Sequence, residues 1–354
     1  MEENNNLILD EDENSDDLQD ELIIKVDRNQ SPLRIDSFLN DKIKNVSRTR
    51  IQQGIKAGAI TVDDKSVKPN YKISPLEIIK VIVPHHEPLE IIPENIPLNI
   101  VYEDEELLIV NKPAGMVVHP GIGNKTGTLL NALAFHLKID PSKADFDKFN
   151  FSRLGLVHRI DKETSGLLVI AKTEFALSHL SKQFYDHSST REYFALIWGE
   201  MEHDAGTINM NIGRHPRKRE VYTVFPEGDQ GKNATTHWEV LERLYYVSLI
   251  KCKLETGRTH QIRVHMQSLG HPVFNDERYG GDRIMKGTVY TKYKQFVENL
   301  FDSFPRHALH AKTLGIVHPT TGEKLEFDSP LPVEFENILT KWRNYVSHQK
   351  QLIS

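Results

Sequence analysis

At 354 residues, with 38% hydrophobic and 27% charged residues, the chain is longer than one hydrophobic core usually serves, which predicts two folded units plus a tail. No apolar run approaches the roughly 20 residues that span a bilayer. The acidic N-terminus excludes a signal or transit peptide, and the one cysteine, Cys252, excludes an internal disulfide and a cysteine-based zinc site.

A lone thiol predicts a reducing, cytoplasmic setting, and the lack of a long apolar run predicts no membrane partner. The net charge of −6 argues against nucleic acid until its distribution is read. Residues 2–21 contain ten acids and no Lys or Arg; without them 40 of the 50 acids face 44 bases, a body near +4. That stretch has no aromatics and little to bury, so residues 1–22 read as a disordered acidic tail that aids solubility.

The first folded unit is expected over residues 23–84. Ile35, Phe38, Leu39 and Ile43, then Ile51 and Ile55, have helical spacing. Ser47 reads as the N-cap of the second helix and Gly58 as its stop. The polar turn Asp63-Asp64-Lys65 separates apolar runs at 59–62 and 78–83, read as small strands. From Arg34 to Lys80 ten Lys/Arg face five acids. A compact basic helix pair suits phosphate gripping, because Lys and Arg displace counterions without reading sequence.

Prolines at 84, 88, 93 and 97 interrupt both helix and ladder, so residues 85–97 read as a linker. From 98 to 340 the pattern predicts a second domain of short strands, at 107–110, 167–171, 193–198, 238–241 and 247–254. Helical spacing returns at Ala176, Leu177, Leu180 and Phe184, capped by Thr173. Strands in runs with scattered helices predict an α+β fold, with a mostly antiparallel mixed sheet in this domain and a small α/β unit before it. Residues 341–354 read as a C-terminal tail.

The chemistry concentrates in His158-Arg159-Ile160-Asp161-Lys162-Glu163-Thr164-Ser165-Gly166, a charged, hydroxyl-rich turn between two apolar runs. It places Asp161 on a loop at a sheet's edge, where a rigid scaffold holds reactive groups. An aspartate alone in such a turn does no more than satisfy backbone N–H groups. Two further segments add weight. Arg191-Glu192-Tyr193 opens a strand with Tyr193, Ala195 and Ile197 on one face. Thr259 can cap a helix whose inward stripe is Ile262, Met266 and Leu269, closed by Gly270, with Arg263 in its early turns.

Together these segments resemble the pseudouridine synthases that modify large-subunit ribosomal RNA. The stretches 101–104, 111–115 and 118–121 resemble the entry of that catalytic domain. Gly213-Arg214-His215-Pro216-Arg217-Lys218-Arg219 and Leu309-His310-Ala311 resemble the synthase D branch of the family. Ser47-Arg48-Thr49-Arg50 resembles its S4-type RNA-binding domain. The resemblance covers about residues 30–335; its one small departure is Ile160, where leucine is usual, a volume-conserving change.

The resemblance implies conversion of uridine to pseudouridine in RNA, with 23S ribosomal RNA or the assembling large subunit as partner. No cofactor or metal is implied, since an isomerisation consumes neither electrons nor water, and no metalloprotease-type histidine spacing occurs. The implied catalytic residues are Asp161, as nucleophile at C1′ or base toward the 2′ proton, Tyr193 against the base, and Arg263 to keep Asp161 charged. Arg159 is implied to fill the stack left by the flipped base. His158, which supports the loop or touches phosphate, completes the implied RNA-binding set with Arg48, Arg50, Arg214, Arg217, Lys218, Arg219, Arg258 and His260, in a monomer. A non-catalytic RNA-binding protein would be expected to have lost part of the trio. A glycosidase would need a second paired acid, and nothing supports Glu163 in that part.

Overall fold

The computed structural model describes residues 19–43, 46–84, 91–121, 124–139, 155–218, 220–287 and 290–353. In the N-terminal unit, β1 (Gln19–Lys25), β2 (Ile60–Val62), β3 (Lys65–Ser66) and β4 (Ile78–Pro84) form an antiparallel sheet in the order β1-β4-β2-β3. Helices α1 (Ile35–Lys42) and α2 (Arg48–Lys56) pack on it. The Ser47 hydroxyl accepts from the Arg50 N–H at 3.3 Å, and Gly58 follows α2 in the left-handed conformation, so both expected boundaries hold. Asp63 and Asp64 also take positive φ, which matches the twist of a two-residue hairpin between β2 and β3. The sheet reaches back to Gln19, into the stretch read as tail, because Leu22 and Ile24 are buried in this core with Phe38, Leu39, Ile51 and Ile79. The rest of the acidic tail, residues 1–18, lies outside the described residues.

The large sheet uses β5 (Ile100–Glu103), β6 (Leu107–Lys112), β7 (Ser165–Ala171), β8 (Thr190–Trp198), β9 (Ala205–Asn209), β12 (Thr235–Arg243), β13 (Val247–Leu254), β14 (Leu309–Val317) and β15 (Lys324–Asp328). Its order is β5-β6-β7-β14-β8-β13-β12-β9, with β15 beside β14, and β7–β14 is the parallel pair among otherwise antiparallel ladders. A separate hairpin, β10 (Asn211–Arg214) and β11 (Tyr222–Phe225), stands off it. β6 and β7 read as continuous apolar runs because both faces are covered. Leu108, Val110, Leu168 and Ile170 enter the main core. Leu107, Ile109, Leu167 and Val169 turn to the other side, under α4 (Glu174–Tyr185). Thr173 caps α4 by accepting from the Ala176 N–H at 3.1 Å.

Helices α3 (Leu129–His136), α6 (Thr291–Ser303) and α7 (Val333–Ile353) contribute to the main core. The boundary expected at 340 falls inside α7: Phe335, Ile338, Leu339 and Trp342 recur at helical spacing and are all buried. Ile91, in the stretch read as linker, is also a core residue. The two units meet where α4 packs against α2 and β4, with an Arg50–Glu174 ion pair at 3.2 Å. Among the described residues no helix is long and apolar enough to cross a membrane.

Candidate active site

The loop carrying Asp161 enters β7, an interior strand rather than a sheet edge as the turn pattern suggested. It is held from several sides. Thr164 donates its N–H to the Asp161 carbonyl at 3.1 Å, and its hydroxyl bonds His307 Nε2 at 2.8 Å. Lys112, with no exposed surface, donates to the carbonyls of Pro113, Met116 and Lys162 at 2.8–2.9 Å. Burial pulls its ammonium down to about 7, against the upward pull of Asp161 and Glu163. Arg306 donates to the Glu163 carbonyl at 3.1 Å.

At the exit of the loop, Gly166 has φ +117°, and a Cβ there would lie 2.2 Å from the Ala311 carbonyl oxygen. Only glycine permits the close β7–β14 approach beneath the site.

The Asp161 side chain is 21% exposed at the wall of a cavity of about 480 Å³, a size that suits a nucleoside. Arg263 Nη1 donates to its Oδ2 at 2.8 Å. Arg263 sits in the first turn of α5 (Gln261–Ser268). Gln261 fixes that start: its amide accepts from Thr256 Oγ1 and Arg258 N–H and donates to Thr235 O and Thr236 Oγ1. Thr259 is not the cap. His260 is, in the left-handed conformation and without a side-chain cap bond, its ring drawn 2.8 Å from the Tyr279 hydroxyl instead. Ile262 and Met266 are buried as expected, while Leu269 is 37% exposed at the helix end.

Burial pushes the Asp161 carboxyl upward, but His260, Arg263 and His307 outweigh it and hold the group well below the usual carboxylate range. His260 and His307 are themselves lowered by burial, to about 4 and about 3. Near neutral pH the cation beside Asp161 is therefore Arg263. Arg263 is fixed in turn: Nε and Nη2 donate to Asp276 at 2.7 and 2.9 Å, and its guanidinium lies 5.0 Å over the Tyr279 ring. Burial works against this cation, and the two carboxylates more than restore it. Asp276 is 1% exposed.

Tyr193, on β8, is 7% exposed and lines the same cavity as Asp161 and Arg263, together with Arg159, Arg258 and His260. Burial raises its phenol, with Arg191 pulling the other way. Arg159 is exposed at the rim. His158 lines the cavity wall too but is 7% exposed, stacks on Phe184 at 4.6 Å, and accepts the Val169 N–H at 3.0 Å, as a support of the loop does. An accepting imidazole is neutral, and burial lowers this one to about 3.

Of the remaining members of the expected set, Arg48, Arg50, Arg214, Arg217 and Lys218 do not line this cavity. Arg48 pairs with the buried Asp36 at 3.2 Å, and Arg50 makes the contact between the units. Arg214 lies over the Tyr222 ring at 5.3 Å; Arg217 and Lys218 are exposed on the β10–β11 connection. Arg219 lies outside the described residues. Asp276, Tyr279, His307 and Lys112 went unassigned in the sequence. Lys112 falls within the 111–115 stretch, which gave it a signal; the other three carry none, because their partners are distant along the chain.

A model of the RNA pseudouridylate synthase family matches residues 106–268, and an S4 domain model matches residues 33–79. The chain is 43% identical to an uncharacterised RNA pseudouridine synthase of Chlorobaculum parvum, covering 92% of this chain and 99% of that one. It is 43% identical to ribosomal large subunit pseudouridine synthase D of Neisseria meningitidis, covering 88% and 79%. Among solved structures, human RNA pseudouridylate synthase domain containing 4 superimposes with a TM-score of 0.54 at 25% identity, over 69% of this chain and 93% of that one.

Proposed function

The chain belongs to the RNA pseudouridine synthases, which isomerise uridine to pseudouridine within RNA, and on that premise we propose that its substrate is 23S ribosomal RNA, free or in the assembling large subunit, with Asp161 acting at the sugar. The observation that carries this reading is the 2.8 Å bond from Arg263 to Asp161 in a cavity shared with Tyr193. It supplies a carboxylate that stays ionised at neutral pH in a partly dry pocket, as either a nucleophile or a base requires.

The reaction breaks the bond from C1′ to N1, turns the uracil and joins C1′ to C5; the C5 proton leaves and N1 gains one, so no atom or electron is left over. Asp161 acts at C1′ as nucleophile or at C2′ as base, and Tyr193 packs against the ring with its hydroxyl available to the C5 proton. Flipping the base costs a few kcal/mol. Arg159, planar and cationic at the rim, is suited to the vacated stack. Arg214, Arg217 and Lys218 hold phosphates from the β10–β11 hairpin, and the S4-like unit contributes affinity and placement. The trio comes from a single chain, which suits a monomer, and a ribosomal substrate suits the cytoplasm.

Mapping pseudouridines across total RNA with and without the gene tests the substrate. We expect loss at discrete 23S positions. Loss confined to transfer RNA would overturn the ribosomal assignment while leaving the chemistry intact.

A further inference from the structure

Three arginines are buried in the described part of the catalytic domain: Arg191, Arg263 and Arg306. Arg263 has Asp161 and Asp276, and Arg306 has Glu334 at 3.0 Å. Arg191 has no carboxylate partner among the described residues. Its Nη2 donates to the Glu255 carbonyl at 2.8 Å, its guanidinium lies 5.1 Å over Phe184, and its Nε is buried with no partner. A buried cation without a counter-ion is costly. This one is nonetheless accommodated with care: a Cβ on Gly257 would lie 2.8 Å from Nη1, so the glycine leaves the space the guanidinium needs.

Arg191 lines the same cavity as Asp161 and Tyr193. It stands two residues before Tyr193 on β8, and so on the same face of the strand. The Tyr193 hydroxyl feels both Arg191 and Asp161, whereas the charges acting on Arg191 are those of Tyr193 and Arg258. Arg191, Tyr193 and Asp161 thus line one cavity, and a ring packed on Tyr193 lies within electrostatic reach of Arg191.

We propose that Arg191 is the counter-ion of the uracil ring while that ring is detached from the sugar. When the bond from C1′ to N1 breaks, its electron pair stays with N1, and the ring carries a negative charge spread over N1 and its carbonyl oxygens. The Arg191 guanidinium neutralises that charge. The charge disappears when C5 joins C1′ and N1 takes up a proton. Arg191 thus meets its counter-ion during the reaction, where a preorganised charge in a dry site acts most strongly. Its depth argues against a backbone phosphate, which would lie at the rim beside Arg159.

This inference rests on the roles given above to Asp161 and Tyr193. Its test uses the full-length Arg191→Ala protein and 23S transcript, measuring binding and the single-turnover rate separately. We expect Kd to change by less than about threefold and the rate to fall about 10²–10³-fold, as for loss of one preorganised donor. Millimolar guanidinium should restore the rate at least about tenfold above a sodium chloride control of equal ionic strength, and Arg191→Lys should retain part of it.

A weakened Kd with an unchanged bound-state rate identifies a phosphate clamp and overturns the proposal. So does an unchanged rate, or a fall that neither guanidinium nor lysine relieves. If Arg191→Ala does not fold, Gly257→Ala makes the same comparison by displacing the guanidinium, and an unchanged rate there overturns the proposal. An active Asp161→Asn protein would instead defeat the underlying reading, whatever Arg191 does.

Discussion

Asp276 clamps Arg263 through two hydrogen bonds of 2.7 and 2.9 Å and leaves Nη1 to Asp161 alone. The Asp161 carboxylate is thus oriented by a cation that a second, fully enclosed carboxylate orients. Arg suits this place and Lys does not, since one ammonium cannot serve both partners in fixed planes.

Replacing Asp276 by Asn removes the charge that fixes Arg263 and leaves Asp161 as its one carboxylate. The turnover rate should fall about 10²-fold, the effect of a displacement of roughly 1 Å at the reacting groups, with KM little altered. Breaking one side of a buried pair should also cost about 3 kcal/mol of stability. Steady-state kinetics and thermal melts check both. An unaltered rate would show that Arg263 needs no such support.

The buried histidines predict how stability depends on pH. Burial lowers His158 and His307 to about 3, and His260, His265 and His310 to about 4. Unfolded imidazoles titrate near about 6.5, so unfolding takes up protons at lower pH. The stabilisation is complete above about pH 6.5 and lost as pH falls toward 4, by up to about 1.4 kcal/mol per pH unit for each histidine. Calorimetry should show a melting temperature that is level above about pH 6.5 and falls from there to about pH 4.5; a flat profile over the lower range contradicts the neutral, buried imidazoles.

Gly166→Ala should destabilise the protein by at least about 2 kcal/mol. The new methyl would lie 2.2 Å from the Ala311 oxygen at a left-handed φ, so β7 and β14 must separate beneath Asp161. Denaturant titration measures the loss, and a neutral substitution would mean the strands do not approach as described.

The Arg217→Ala/Lys218→Ala double variant tests the basic hairpin. If each side chain meets one phosphate, RNA affinity falls and the slope of log K against log salt drops by about two. Bound-state turnover should be unchanged. Equal slopes would remove the hairpin from the interface.

Much of this was legible in the sequence where signals are local. Ser47 and Thr173 announced their helices because a cap is written within three residues. β6, β7 and β13 stood out as apolar runs. Asp161, Tyr193 and Arg263 stand out through their resemblance to a family's motifs rather than through their surroundings. Thr259 misled because the left-handed turn at His260 is set by Tyr279, far along the chain. Asp276 and His307 had no local mark, their partners being 13 and 143 residues away. The stripe of Phe335, Ile338, Leu339 and Trp342 was readable, yet a boundary at 340 hid the helix that carries it. His158 reads in the sequence as a support of the loop or a phosphate contact, and its burial against Phe184 fits the first.

The central claim is that the Asp161 carboxylate performs the chemistry. Its most direct test is Asp161→Asn, assayed for pseudouridine formation and RNA binding on the same transcript. The account predicts no detectable pseudouridine, with Kd within about threefold of the parent, since the amide keeps the shape and loses only the charge. Pseudouridine formed at a rate near that of the parent would contradict it.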